Sequence, residues 1–147
     1  MRPHHIDLNK KDNKAFWEKL SKFNNFKIVT HSHCPDVNQI CVISDCLITD
    51  YSSLFFDYLL TNNPVIFFPY DLETYSSKVG FIVDYHKIAA GPKPETQSAF
   101  IRVLKDLLNN NDSFKEERNV IRNKIHKFQD GNSCERTVHL IKELINE

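Results

Sequence analysis

Glycine is scarce in this sequence. Only Gly80, Gly91 and Gly131 occur among its 147 residues. Their spacing fits neither the G-x-G-x-x-G dinucleotide fingerprint nor the Walker A loop, each of which needs two or more glycines a few residues apart. Both sites are therefore excluded, and any phosphate site in this chain must be built without a glycine-rich loop.

The sequence also lacks an excess of charge and a long apolar run. It has 19 basic and 19 acidic residues and a formal net charge of +0, which argues against a dedicated nucleic-acid binder. No apolar stretch approaches the length of a membrane-spanning helix. The start, Met-Arg-Pro-His-His, lacks the apolar segment of a signal peptide. We therefore expect a cytoplasmic protein with no nucleic-acid partner.

Paired cysteines are missing as well. The four cysteines form no C-x-x-C motif and lie in or beside apolar segments: Cys34, Cys41, Cys46 and Cys134. This pattern favours reduced, buried thiols. A zinc site at His31, His33 and Cys34 is the alternative, although these three close ligands have no clear fourth. We assign no metal site and no certain cofactor.

Short apolar strands alternate with helical patterns along the chain. Strands are predicted at 26–29, 46–49 and 65–68, with a further short one at 81–85. Helices are predicted at 12–23, from Pro35-Asp36 to Ile43, from Ser52 or Ser53 to Leu60, and at 98–108, 113–128 and 133–145. The residues expected to face the core are Val37, Ile40, Cys41 and Ile43 in the second helix and Phe55, Phe56, Leu59 and Leu60 in the third.

This alternation is typical of a parallel sheet covered by helices on both faces. We predict one Rossmann-like α/β domain over residues 1–147, with C-terminal helices. The opening stretch MRPHHID resembles the polar end of a strand whose body is missing. We therefore expect the chain to be a fragment.

The stretch TDYSS, residues 49–53, places polar side chains between a strand and a helix. Ligands of open parallel sheets bind at the carboxyl ends of the strands. The first N–H groups of the following helix lack internal partners and favour anions, and the Ser52 and Ser53 hydroxyls add donors. Asp50 could orient a neighbouring group. The alternative is purely structural, with Ser52 as an N-cap and Asp50 as a turn residue.

Two further stretches allow both a functional and a structural interpretation. A histidine in RPHH, at the same rim of the sheet, can donate to a phosphate or move a proton; a surface turn is the alternative. In DGNSCER, residues 130–136, Glu135 is either a carboxylate that stabilises the helix dipole or an acceptor for a sugar hydroxyl.

Several stretches together resemble one family. The segment ISDCLITDYSSLFFDYLLTNNPVIFFPYDLETY, followed in order by GFIVDY, GP and DGNSCER, is similar to the CDP-glycerol:poly(glycerophosphate) glycerophosphotransferases, which build teichoic acids and related surface polymers. The resemblance covers most of the chain. The TDYSS block is its most specific part, and the ordered set is stronger than any single motif.

The resemblance implies the C-terminal, nucleotide-binding half of a GT-B-like transferase. The donor would be CDP-glycerol or CDP-ribitol, the acceptor a hydroxyl of a lipid-linked polymer, and the leaving group CMP. His4, in the block that matches R-x-H-P, is implied as the donor-phosphate contact and the catalytic candidate. Asp50, Tyr51, Ser52 and Ser53 are implied to face the diphosphate. Glu135 and Arg136 are implied to contact the ribose or base.

The sequence departs from the family pattern in three places. His5 replaces the usual proline, Val79 stands where the family usually has arginine, and an N-terminal domain that would supply a second histidine is absent. A stand-alone nucleotide-binding or interaction module without catalysis is therefore an alternative. A phospho-receiver domain is disfavoured, because the required acidic pair and late lysine do not appear.

The predicted helix at 113–128 is basic. Its cationic residues are Lys115, Arg118, Arg122, Lys124 and Lys127. A basic helix suits contact with the inner face of the cell membrane, and a solvated helix face is the alternative.

Overall fold

The computed structural model describes residues 1–3 and 13–146, which fall into two compact units, Met1–Ser44 and Asp45–Glu147. The assignment of one domain to the whole chain stays a prediction. Both His4 and His5 lie outside the described residues.

In the described residues of the first unit there are two short helices, α1 (Lys14–Leu20) and α2 (Asn38–Val42). Val37 occupies the N-cap position of α2, and the Asp36 carboxylate before it accepts a hydrogen bond from the Asn38 N–H at 2.9 Å. Cys41 is buried. The inward position predicted for Ile43 is wrong: the helix ends before it, and its side chain is 80% exposed.

The strand predicted at 26–29 is also wrong, because these residues have no regular secondary structure. A strand needs a ladder of backbone partners. Here the Val29 N–H donates to the Met1 carbonyl at 2.9 Å, and the Met1 amino group donates to the Lys27 carbonyl at 2.7 Å. Met1 alone among the described residues supplies these bonds, so no ladder forms.

The second unit is built around two parallel strands, β1 (Leu47–Thr49) and β2 (Val65–Phe67). Leu47 lies opposite Val65 and Thr49 lies opposite Phe67. Helix α3 (Leu54–Tyr58) and the 3₁₀ turn Leu59–Thr61 connect them. Asn62 then takes a left-handed conformation, φ 58°, which asparagine tolerates better than most residues.

The core of this unit surrounds β2, whose three residues are all buried. Phe55 and Leu59 are buried as predicted, but Leu60 is 51% exposed. The prediction for Leu60 assumed a continuous α-helix. The change to a 3₁₀ turn after Tyr58 alters which side chains face inward, and Tyr58 is fully buried instead.

Five helices complete the unit: α4 (Leu72–Lys78), α5 (Tyr85–Ile88), α6 (Gln97–Leu108), α7 (Lys115–Ile125) and α8 (Ser133–Asn146). The last three confirm the predicted helices within a few residues at each end. The strand predicted at 81–85 is wrong. The Asp84 carboxylate accepts from the His86 N–H at 3.1 Å and caps α5 instead. No helix in residues 1–3 and 13–146 has both the length and the apolar character to cross a bilayer.

The basic residues of helix α7 do not all face the solvent. The Arg118 side chain is only 1% exposed and pairs with Asp112. The prediction that Arg118 lies on a solvated or membrane-facing surface is therefore wrong. Lys115 and Lys124 remain exposed on this helix.

Candidate functional site

The TDYSS loop follows the carboxyl end of β1, as the sequence predicts. One Asp50 carboxylate oxygen accepts from the Tyr51 N–H at 2.6 Å, and the Ser52 hydroxyl oxygen accepts from the Leu54 N–H at 3.3 Å. Ser53 occupies the N-cap position of α3, but its side chain makes no capping bond. The N-cap position predicted for Ser52 is therefore taken by Ser53, while the Ser52 hydroxyl bonds the N–H of the first residue of α3.

Two neighbouring backbone donors remain beside the start of α3. Within the described part of the chain, the N–H groups of Ser52 and Ser53 make no hydrogen bond. Both residues are exposed. Helix α3 has only five residues, so its dipole is a weak source of anion affinity. The two N–H groups and the two serine hydroxyls are the groups here that can bind an anion.

An aromatic cluster lies behind this loop and joins three of the sequence motifs. The Tyr51 ring stacks on Tyr75 of YDLETY, with centroids 4.2 Å apart. It also makes edge contacts with Phe81 and Tyr85 of GFIVDY at 5.8 and 5.7 Å. Tyr85 in turn contacts Phe67 of β2 at 6.0 Å. The cluster therefore connects the loop to the core strand.

Two phenol hydroxyls of the cluster are hydrogen-bonded. Tyr51 donates to the Asp71 carboxylate at 2.8 Å, and Tyr85 donates to the Asp50 carbonyl at 3.3 Å. Burial, with the hydrogen bond to Asp71, raises the pKa of Tyr51 above its ordinary value. Burial and the Asp50 charge raise the pKa of Tyr85 to about 12. Both phenols are therefore protonated donors at neutral pH.

These shifts predict a loss of stability in alkali. An unfolded tyrosine ionises near a pKa of about 10, whereas native Tyr85 holds its proton to about 12. The contribution of protonated Tyr85 to the stability of the folded protein is therefore complete below about pH 10 and is lost as the pH rises toward about 12. We expect the free energy of unfolding, measured in urea, to fall across this range and to fall less steeply in Tyr85→Phe. Equal slopes for the two proteins would contradict this account.

An open depression of about 790 Å³ borders the cluster between α4 and α5. Its lining is mixed, with the apolar residues Leu72, Gly80, Phe81, Ile82, Val83 and Tyr85 and the polar residues Glu73, Ser76, Ser77, Asp84 and His86. The depression shares Phe81 and Tyr85 with the aromatic cluster that contacts Tyr51.

Three predicted site residues lie outside this loop in the sequence: His4, Glu135 and Arg136. His4 lies outside the described residues. Glu135 and Arg136 are in the first turn of α8. The Arg136 guanidinium pairs with Asp130 and lies 3.9 Å from the centre of the Phe128 ring. In residues 13–146, no hydrogen bond, ion pair or ring contact joins Glu135 or Arg136 to residues 50–53. Their ligand contacts stay predictions.

The residues of the alternative zinc site have other partners. His33 Nδ1 lies 2.7 Å from the Thr30 hydroxyl oxygen, and the Cys34 thiol donates to the Asp36 carbonyl at 3.0 Å. An Arg2 nitrogen lies 3.5 Å from His31 Nδ1. Three His, Cys, Asp or Glu side chains arranged to hold a metal ion are not found among the residues described.

Comparison with protein families gives a match over residues 1–143. The matching family model is described as CDP-Glycerol:Poly(glycerophosphate) glycerophosphotransferase. The chain is 37% identical over 111 residues to a teichoic acid glycerol-phosphate transferase of Staphylococcus aureus, an alignment that covers 75% of this chain and 28% of the relative. It is 34% identical over 107 residues to a teichoic acid poly(glycerol phosphate) polymerase of Bacillus subtilis, covering 72% and 14%. The chain therefore spans less than a third of these relatives.

Solved structures of the wall teichoic acid polymerase TagF share this fold. One aligns with a TM-score of 0.68 and 31% identity, covering 86% of this chain and 31% of TagF. A TagF variant soaked with CDPG for 30 minutes aligns with a TM-score of 0.70 and 29% identity, covering 99% and 34%. The predicted fold class, an α/β arrangement of parallel strands and helices like half of a GT-B enzyme, is confirmed.

Proposed function

We propose that this chain, which belongs to the CDP-glycerol:poly(glycerophosphate) glycerophosphotransferase family, supplies the donor-binding part of a polyol-phosphate transferase. The donor is CDP-glycerol or CDP-ribitol, and the acceptor is a hydroxyl of a teichoic-acid-like polymer. The observation that carries the proposal is the TDYSS loop at the end of β1, with unpaired N–H groups at Ser52 and Ser53 in the described structure. The family match over residues 1–143 supports it.

The loop suits a diphosphate because it offers donors on neighbouring residues. The Ser52 and Ser53 N–H groups and hydroxyls can donate to phosphate oxygens, as backbone N–H groups do in other anion sites. The Asp50 carboxylate accepts from the Tyr51 N–H at 2.6 Å, so it orders the loop from within. Binding there would hold the diphosphate and withdraw electron density from the bond that breaks.

In the reaction, an acceptor hydroxyl oxygen forms a bond to the phosphorus that carries the polyol. The bond from that phosphorus to the bridging oxygen breaks, and CMP leaves with the electron pair. The hydroxyl proton must pass to a base, and the developing charge on CMP must be stabilised. We assign charge stabilisation to Ser52 and Ser53 and a donor-phosphate contact to His4. We assign the base to the part of the transferase beyond this chain.

The acceptor and the location are further parts of the proposal. A lipid-linked acceptor polymer would place the enzyme at the inner face of the cell membrane as a peripheral protein. The exposed lysines of α7, Lys115 and Lys124, suit an anionic surface. With Arg118 buried, this face is less basic than its sequence indicates.

A titration of the chain with CDP-glycerol tests the donor site. We expect amide NMR shifts at residues 50–53 and about tenfold weaker binding in Ser52→Ala/Ser53→Ala, because two charge-assisted hydrogen bonds are lost. Ser113→Ala, at an exposed serine before α7, is the matched control and should bind as the wild type does. Shifts confined to residues 133–146, or no shifts at millimolar ligand, would reject the site.

A further inference from the structure

Two side chains from outside the TDYSS loop hold it from two sides. Asp71 accepts a hydrogen bond from the Tyr51 hydroxyl at 2.8 Å, and its N–H donates back to the same oxygen at 3.2 Å. The Tyr85 hydroxyl donates to the Asp50 carbonyl at 3.3 Å. The loop is thus bonded both through a side chain and through its backbone.

Asp71 is committed to the loop rather than to its own helix. It stands at the N-cap position of α4, where an aspartate commonly accepts from the first helical N–H groups. Here its side chain makes no such bond. It bonds instead to Tyr51, twenty residues earlier in the chain. Because the Asp71 carboxylate bonds the Tyr51 hydroxyl and not the N–H groups of α4, it restrains the position of Tyr51.

The Tyr85 side chain is itself held in place by its neighbours. Its ring is only 5% exposed and contacts Phe67 and Phe81, at 6.0 and 5.2 Å. A hydroxyl on so constrained a ring has little freedom, so it holds the Asp50 carbonyl in place. The loop conformation is therefore determined by groups that a ligand at Ser52 and Ser53 does not touch.

We propose that Asp71 and Tyr85 are positioning residues, which hold residues 50–53 in the conformation whose Ser52 and Ser53 donors bind the donor diphosphate. This inference rests on the proposed function. Ordering a loop costs backbone entropy, and a loop already ordered avoids that cost when the ligand binds. Each anchor should therefore improve affinity without contacting the ligand.

The test measures CDP-glycerol affinity, amide order parameters and melting temperature in the full chain. Tyr85→Phe keeps the ring and removes the bond to Asp50. We expect about three- to tenfold weaker binding and lower order parameters at Ser52 and Ser53. Tyr75→Phe is the matched control: its ring is in the same cluster, and its hydroxyl bonds to none of the described residues. It should leave affinity and order parameters unchanged.

Two variants of Asp71 separate positioning from charge. Asp71→Asn keeps an oxygen that can accept from Tyr51 and should bind CDP-glycerol within about twofold of the wild type. Asp71→Ala removes that acceptor and should weaken binding about three- to tenfold. If Asp71→Asn is as damaging as Asp71→Ala, the carboxylate charge matters and the positioning role of Asp71 is overturned.

The outcomes distinguish this inference from the proposed function. A wild-type chain that binds no CDP-glycerol overturns the proposed function, while the order parameters still decide whether Asp71 and Tyr85 hold the loop. A wild-type chain that binds, together with a Tyr85→Phe variant of equal affinity and equal order parameters, overturns the positioning inference alone.

Discussion

Replacing Arg118 with methionine is expected to lower the free energy of unfolding by about 3–5 kcal/mol, the cost of removing one partner of a buried ion pair. The Arg118 side chain is 1% exposed and Asp112 is 17% exposed. One guanidinium nitrogen donates to Asp112 at 3.0 Å, and the other contacts both the second carboxylate oxygen and the Asn62 carbonyl. Methionine fills similar space but removes the charge that compensates the Asp112 carboxylate and the guanidinium donor to the Asn62 carbonyl.

Urea unfolding followed by far-UV circular dichroism measures the effect. Arg102→Met is the matched control, because Arg102 is exposed on α6; it should change stability by less than about 0.5 kcal/mol. Arg118→Met/Asp112→Asn removes both charges and keeps an oxygen for the Phe114 N–H, which bonds Asp112 at 3.2 Å. This double variant should recover part of the loss. A double variant less stable than Arg118→Met would contradict the explanation.

The same pair predicts a response to acid. The hydrogen bonds from Arg118 lower the pKa of Asp112, although its partial burial opposes the shift. The unfolded carboxyl binds its proton near about pH 3.9, before the native one does. The stabilisation is therefore complete above that pH and is lost as the pH falls through the lower native value. In Arg118→Met this part of the acid dependence should disappear.

The burial of Arg118 could not be predicted from the sequence. An arginine among Lys115, Arg122 and Lys124 on an amphipathic helix resembles a solvated face. The structure reverses that expectation, because a guanidinium nitrogen of Arg118 lies 3.4 Å from the carbonyl oxygen of Asn62. Asn62 is 56 residues earlier in the chain. Such a partner is set by tertiary packing, which the local pattern does not record.

Much of the candidate site was predictable, because its signals are local. The apolar runs at 46–49 and 65–68 predicted β1 and β2, and the polar cluster between them predicted the joint. The family resemblance of the ordered motifs is confirmed by the match over residues 1–143. Helix α3 begins at Leu54, later than the predicted start at Ser52 or Ser53. The N–H groups of the loop therefore matter more for anion binding than the helix dipole does.

The contacts of Asp71 and Tyr85 with the TDYSS loop do not follow from the motifs YDLETY and GFIVDY. The alternation in the second motif favours a strand. In the structure, Asp84 caps α5 and turns Tyr85 toward the Asp50 carbonyl. A carboxylate followed by a short polar run was the available signal for that helix start.

Replacing Gly91 with alanine is expected to cost about 3 kcal/mol or more, because the added carbon has no space. A Cβ at this position would lie 2.1 Å from the Val65 carbonyl oxygen and 3.1 Å from two atoms of the Phe67 ring. The clash is with the backbone of β2, which cannot move aside as a flexible side chain can. Next to it, the Phe67 N–H donates to the Pro92 carbonyl at 3.0 Å, and this bond should weaken too.

Gly131→Ala is the control that separates close approach from backbone conformation. Gly131 has φ +75° and no atom within 4 Å of an added Cβ, so alanine there should cost only about 1–2 kcal/mol of conformational strain. Urea unfolding compares the two variants, and amide hydrogen exchange at Ile66 and Phe67 locates the damage. Phe67 contacts Tyr85, which bonds the Asp50 carbonyl. The displacement of β2 in Gly91→Ala should therefore also change the TDYSS loop. Equal losses at Gly91 and Gly131, with β2 exchange unchanged, would show that close packing on β2 does not require this glycine.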